Sequence, residues 1–176
     1  MSLKKKIIIL GALFLSLWQT SYAQPPLSET AIQNAVLVHI NEYRHKHGLS
    51  TLHMNNDMVR EAKQHSLDMA HHRMPFGHQG FLKRVERLHR RIKNSGAGAE
   101  NIAYNYKDAH TVVQQWLLSP GHKRNIDGNY NLTGIGVARD NQGHLYYTQI
   151  FLRADDKQHQ VSVRRPFFGV SFRRAS

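Results

Sequence analysis

The chain has 176 residues, no cysteine and a formal net charge of +12, with 24 Lys and Arg against 12 Asp and Glu. The lack of cysteine excludes a fold that depends on disulfide bonds, so packing must supply the stability. The positive charge favours anionic partners such as phospholipid or acidic cell-wall polymer. It argues less for nucleic acid, because the basic residues are scattered and form no helix-turn-helix, zinc-finger or RNP pattern.

Residues 1–23 have the pattern of a secretory signal peptide. Three lysines, Lys4–Lys6, precede a mostly apolar run from Ile7 to Trp18, and Ser21-Tyr22-Ala23 places small residues where a signal peptidase reads them. The run is short for a membrane anchor, which is the alternative. We expect cleavage after Ala23 and a secreted or periplasmic protein. Without the three lysines, residues 24–176 carry a charge of +9 and are long enough for one domain.

The first half of the mature chain predicts two helices. A proline-rich lead-in over 24–34 contains Ser28 and Thr30, either of which can cap a helix over about 30–47 that ends at Gly48. After a connector at 49–54, Asn56 or Asp57 can cap a second helix. That helix carries His65 and His72 on one face, but no HExxH motif accompanies them, so we expect ordinary helix histidines.

The middle of the chain is predicted to alternate loops with short elements. Residues 73–97 are typical of a loop-rich segment, with a helical turn or two in the basic run Lys83–Lys93, which is either a solvated face or a polyanion contact. Residues 99–106 are predicted to be extended. A helix capped by Asp108 should end before Ser119-Pro120, and a short helix should then carry His122 to Asn125.

The last part of the chain changes to the period of strands. Residues 132–139 and 145–152 are rich in β-formers around the turn at 140–143, which predicts an antiparallel hairpin. The segment 154–176 mixes arginine with phenylalanine. It is interpreted either as carrying an edge strand at 160–165, as a cationic aromatic tail that suits a membrane surface or polyanion, or as a tail without function.

Three polar groups on separate loops are the candidate site. These are His78, Glu100 and His122, and no single helix face could supply them. Two imidazoles, His78 and His122, with a carboxylate are able to hold Zn²⁺ and activate water. Without metal, Glu100 is able to act as a base oriented by a histidine, or simply to pin a loop through backbone hydrogen bonds. No serine or cysteine nucleophile lies in a recognisable motif.

The ordered motifs resemble the CAP superfamily, also called the SCP domain, in its cysteine-free bacterial branch. They are the following: HINEYRHKHG at 39–48, A-x-x-H-S-x-D-M-A at 62–70, FGH at 76–78, GAENIAY at 98–104, W-x-x-SPGHKRNI at 116–126, TGIGVA at 133–138 and YYTQIF at 146–151. The resemblance places the domain at 35–153. It implies an α/β (α+β) fold, a three-layer α-β-α sandwich with a central antiparallel sheet. It also implies a cleft at the edge of the sheet.

The resemblance also implies which residues line that cleft. The first histidine and glutamate of the family correspond to His78 and Glu100. The second acidic position falls near Ser119 and the second histidine position at Tyr146, so we expect His122 to supply the missing imidazole. Thr148 and Gln149 alternate with apolar neighbours, so one of them is able to face the cleft, the alternative being structural hydrogen bonding. Of the two, we predict that Gln149 contacts ligand, together with Tyr146.

Three functions of different classes remain open. The first is an exported module that binds a small hydrophobic ligand, lipid being suggested by the family, or an envelope partner. The second is a metal-dependent hydrolase using His78, Glu100 and His122 with zinc as its cofactor, an activity the family suggests without establishing. The third is a cationic envelope protein that binds anionic membrane or wall surfaces and has a vestigial cleft.

Overall fold

The structure, a computed structural model, describes residues 27–155. In chain order its elements are α1 (Glu29–Lys46), β1 (His53–Met54), α2 (Asn56–Ala70), α3 (Phe81–Arg91), β2 (Ser95–Tyr104), α4 (Ala109–Leu118), α5 (Pro120–Asp127), β3 (Leu132–Arg139) and β4 (Leu145–Ala154). The predicted signal peptide, its cleavage site, the start of the lead-in and the tail with its edge strand at 160–165 lie outside the described residues. Within 27–155, no helix combines the length and apolarity needed to cross a bilayer.

The helix starts follow the capping chemistry of the sequence. The Ser28 hydroxyl accepts from the backbone N–H of Ala31, and the Asp108 carboxylate accepts from that of Thr111 at 2.7 Å. Both satisfy N–H groups that a helix leaves without partners. The cap of α2 is Asn55, one residue before the predicted Asn56 or Asp57. Helix α5 begins with proline in its first turn, as predicted.

The sheet has the strand order β1-β3-β4-β2. The predicted hairpin is confirmed: β3 and β4 are antiparallel, and β2 pairs antiparallel with the other side of β4. The connector at 49–54 also contributes the short strand β1, which pairs in parallel with β3 through His53 and Met54. A strand of two residues shows no alternation, so no periodic signal for it exists in the sequence.

Helices cover both faces of this sheet, so the predicted three-layer sandwich is confirmed. Helices α1, α4 and α5 pack on one face in a core that includes Val36, Ile40 and Phe151. Helix α2, with α3 beside it, packs on the other face, where Met58 and Leu88 meet the far side of β4. Burial of these apolar faces against the sheet is the main source of stability in a chain without disulfides.

Helix α3 is longer than the predicted turn or two. Its apolar residues Phe81, Val85 and Leu88 follow helical spacing, but the many basic residues between them mask that stripe. The expectation of a fully solvated basic run is wrong at Arg84, whose side chain is buried under the sheet edge. The other three arginines of the helix are partly exposed: Arg87 and Arg91 pair with Glu61, and Arg90 pairs with Glu86.

Candidate functional site

An open cleft of about 760 Å³ runs along the outer edge of β2. The loop Phe76–His78 forms one wall, β2 residues 102–104 form the floor, and the end of α4 with the start of α5 forms the other wall. The lining is mostly aromatic and aliphatic, with few polar groups. Its members are Phe76, Gly77, His78, Ile102, Ala103, Tyr104, Tyr106, Gln115, Trp116, Leu118, Ser119 and His122.

A buried ion pair lies directly behind one wall of the cleft. Both carboxylate oxygens of Glu100 accept hydrogen bonds from the guanidinium of Arg84, at 2.7–3.0 Å. The two side chains are only 1% and 5% exposed, so each charge depends on the other for compensation. Arg84 also donates to the carbonyl of Gln79 at 2.8 Å, which ties the pair to the loop that carries His78.

His78 joins Arg84 and Glu100 in a cluster of three side chains. Its Nδ1 lies 2.9 Å from Oε1 of Glu100. Because an ionised carboxylate only accepts, Nδ1 carries a proton, and in the neutral ring Nε2 is then the acceptor nitrogen. The imidazole is half exposed and lines the cleft. Glu100 therefore orients His78, whereas one of the two roles left open for Glu100 had a histidine orienting the carboxylate as the base.

A second histidine fixes the loop from behind. Nε2 of His65 donates to the carbonyl of Gly77 at 2.9 Å, and the ring is buried. Burial lowers the pKa of His65, and the guanidinium of Arg84 lowers it further, against the weaker raising effect of Glu100. His65 is therefore neutral near pH 7 and acts as a structural donor. It is thus an ordinary helix histidine, as predicted, with a supporting contact one residue before His78.

The other wall is held by asparagines of the two central motifs. Asn125 on α5 donates to the carbonyl of Glu100 at 3.1 Å and to the side-chain oxygen of Asn101 at 2.8 Å. Asn101 in turn donates to the carbonyl of His122 at 3.1 Å. Trp116 donates to the carbonyl of Ile102. Asn125 and Trp116 thus occupy two carbonyl groups along the edge of β2, which protects that edge from pairing with another strand.

His122 reaches the cleft because α5 is clamped in this way. Its ring lies 6.4 Å from that of Trp116, centroid to centroid. Burial lowers the pKa of His122, and the charge of His78 lowers it further. Near pH 7 the cleft thus presents a neutral His122 opposite His78. The structure brings His78 and His122 to one cleft, with Glu100 behind the wall in contact with His78.

The two remaining predicted contact residues lie elsewhere. Tyr146 lines a neighbouring cavity of about 560 Å³, where its ring packs 4.6 Å from that of Tyr104. Gln149 is fully buried and donates to the Thr133 hydroxyl at 3.2 Å, on the face covered by α1. Gln149 therefore does not line the cleft. Phe76 and Tyr104 line both cavities, so they separate the cleft from its neighbour.

The donor set does not fit a zinc centre. Within the described part of the chain, no three His, Asp or Glu side chains are grouped so as to hold a metal ion. Arg84 occupies both oxygens of Glu100, and His78 uses its Nδ1 on the same carboxylate. Zinc sites with open positions use three protein ligands, so two imidazoles alone fall short.

The most important residue that sequence reasoning missed is Arg84. Arg84 lies among other basic residues of α3 and resembles them in the sequence. It differs from them only in its position, because Arg84, Leu88 and Ile92 follow one another at intervals of four residues. This interval places Arg84 on the apolar side of the helix, and it is the one pattern that could have predicted its burial. Asn101 and Asn125 are of the residue type that caps turns and bridges strands, and their contacts here are of that kind.

The sandwich and its edge cleft define an SCP-type domain. A model of the CAP family, described as the cysteine-rich secretory protein family, matches residues 37–151. The chain therefore belongs to this family, and the resemblance seen in the motifs is confirmed.

Two bacterial proteins are similar to this chain in sequence. The chain is 36% identical over 131 residues to YlbC, described as a membrane protein of Bacillus subtilis strain 168, and 31% identical over 129 residues to YkwD of the same strain. These matches cover 71% and 72% of this chain but only 35% and 49% of the relatives, so the chain spans half their length or less.

Solved structures agree with the fold. An extracellular SCP-domain protein of Bacillus anthracis strain Ames superposes with a TM-score of 0.60 and 26% identity, over 74% of this chain and 45% of that one. An outer surface protein of Borrelia burgdorferi superposes with a TM-score of 0.62, over 73% of this chain and 97% of that one. At 19% identity, this second likeness bears on the fold alone.

Proposed function

We propose that this protein is an exported binding module whose cleft takes a small amphipathic ligand, with an apolar body and one polar group. The observation that carries the proposal is the cleft along β2, where an apolar lining surrounds His78 and His122. Concave apolar sites with a few convergent polar groups are the usual form of small-ligand sites.

Exposed apolar side chains around the cleft support this function. Phe76 is 52% exposed, Tyr104 41% and Leu118 76%. All three line the cleft, so a ligand would remove their apolar surface from water. The imidazoles would hydrogen-bond the polar group, since His78 offers its Nε2 and neutral His122 has both a donor and an acceptor nitrogen.

Export is part of the same proposal. The signal-peptide pattern at residues 1–23 supports it, and so does the extracellular location stated for the Bacillus anthracis protein with the same domain. A mature chain that begins at Gln24 retains the whole described domain.

Ligand binding can be followed through Trp116, the only tryptophan of residues 24–176. We expect oleate to change its fluorescence, because Trp116 lines the cleft. Leu118→Asp should weaken oleate binding about 10-fold or more, the effect of losing one buried leucine contact. Val38→Asp, an equally polar change at an exposed residue of α1, should not. Two outcomes would contradict the proposal. One is an equal affinity for oleate in the two variants. The other is no fluorescence response to oleate or cholesterol together with no ligand retained in native mass spectrometry.

A second candidate is hydrolysis without metal, favoured by the His78–Glu100 contact. A histidine whose Nδ1 is held by a buried carboxylate has its Nε2 positioned to take a proton from water. We expect any ester or peptide turnover found in a substrate panel to fall at least ~100-fold in His78→Gln, the usual scale for a lost general base. It should persist in His53→Gln, an exposed histidine on β1. Turnover that survives in His78→Gln would exclude this candidate.

A further inference from the structure

The net charge of the domain is concentrated in one stretch of the chain. Residues 56–94 contain nine Lys and Arg against four Asp and Glu, whereas the remaining residues of 27–155 contain seven of each. The stretch 56–94 forms α2, α3 and their connecting loop, which together make one outer layer of the sandwich. Arg84 is buried and neutralised by Glu100, which leaves eight Lys and Arg against four Asp and Glu in this layer. Most of the excess positive charge of the described domain therefore lies on one face.

The acidic residues of this face are already engaged. Asp57 pairs with Arg60, Glu61 with Arg87 at 2.6 Å, and Asp68 with Arg73 at 2.8 Å. The fourth, Glu86, is exposed and pairs with Arg90 at 2.7 Å. Among the described residues, the lysines at 63, 83 and 93 take part in no ion pair, and all three are exposed. The face is thus positive with little acidic surface left to oppose it.

The outer side of α3 adds an apolar group to this charge. Leu82 is 80% exposed, the largest exposed fraction among the large apolar residues of the described chain. Lys83, Glu86, His89 and Arg90 are exposed on the same helix at helical spacing, with Lys93 just beyond its end. A soluble polyanion would satisfy the cations but would leave Leu82 in water. An anionic bilayer satisfies both, because lysine and arginine reach headgroups while an apolar side chain enters the interface.

We propose that the face formed by α2 and α3 docks on an anionic phospholipid membrane, with Leu82 entering the interface. The contact is separate from the cleft and does not depend on a cleft ligand. The loop with Phe76 and His78 leads directly into α3, so docking would bring one wall of the cleft close to the lipid surface. Such attraction strengthens with each basic residue that lies near the surface.

The test measures binding of the full mature chain to vesicles of phosphatidylcholine with or without phosphatidylglycerol. A triple variant, Lys83→Glu, Arg90→Glu and Lys93→Glu, is compared with a matched control, Lys46→Glu, Lys107→Glu and Arg124→Glu. Both change the net charge by the same amount, and all six residues are exposed. We expect the first variant to lose about 100-fold or more of its affinity for phosphatidylglycerol vesicles and the control less than about 5-fold. Circular dichroism checks that both are folded.

A separate variant tests the apolar part of the contact. Leu82→Ser should weaken vesicle binding about 10-fold, and this loss should persist at high salt, where the electrostatic part is screened. Equal losses in the two triple variants would overturn the proposal, because binding would then follow net charge or the tail at 156–176. Binding to soluble polyphosphate without binding to vesicles would also overturn it.

Discussion

Arg84→Met is expected to lower the free energy of unfolding by about 3–5 kcal/mol, because it leaves the carboxylate of Glu100 buried and uncompensated. Glu100 keeps only one other side-chain partner among the described residues, the half-exposed His78. Urea denaturation of the native chain and the variant measures the change.

Two controls separate this effect from the loss of any arginine. Arg90→Met removes an exposed arginine that pairs with Glu86 one turn away on the same helix, and we expect a change below about 0.5 kcal/mol. Replacing both partners, as Arg84→Met with Glu100→Met, should recover most of the stability, because no buried charge then remains. If Arg84→Met is as mild as Arg90→Met, the ion pair does not hold the cleft wall as described.

The position of Glu100 bears on the two roles that the sequence leaves open for it, a base or a pin for a loop. In the structure it is nearly inaccessible and contacts the loop through His78 and through Arg84, which reaches the carbonyl of Gln79. A carboxylate in this setting is a poor proton acceptor for a bound molecule, because both of its oxygens are engaged. The group of this cluster that lines the cleft is His78.

The helices and strands that could be predicted from the sequence are those whose ends are marked by residues close by in the chain. Asp108 marks the start of α4, and Ser119-Pro120 separates α4 from α5, because caps and proline act within one turn. The hairpin of β3 and β4 follows from strand periodicity around a turn with Gly143 at positive φ. These local signals place His122 on a short helix without any knowledge of the sheet.

The contacts across the sheet could not be predicted in this way. Whether Thr148 or Gln149 faces a given layer depends on the strand register, and a shift of one residue exchanges the two. In the structure Thr148 bonds to Ser66 of α2 and Gln149 to Thr133 on the other face, so neither lines the cleft. Arg84 was missed for a related reason, because its partner Glu100 is distant in sequence.

Two glycines explain why the TGIGVA strand pattern is compatible with a helix lying directly on it. A Cβ at Gly134 would meet the backbone of Met58, and one at Gly136 would meet that of Ala62 and Lys63, in each case well inside 3 Å. Helix α2 therefore contacts β3 backbone to backbone. The glycines are required by packing and not by a turn.

Gly136→Ala is accordingly expected to destabilise the domain by about 3 kcal/mol or more, the upper range for overpacking, because a helix backbone cannot give way as a side chain can. Thermal and urea unfolding of the variant measure this effect. Gly121→Ala is the matched control, since a Cβ there meets nothing within 4 Å and alanine favours the helix at that position. A mild Gly136→Ala would mean that α2 does not lie against β3 at this distance.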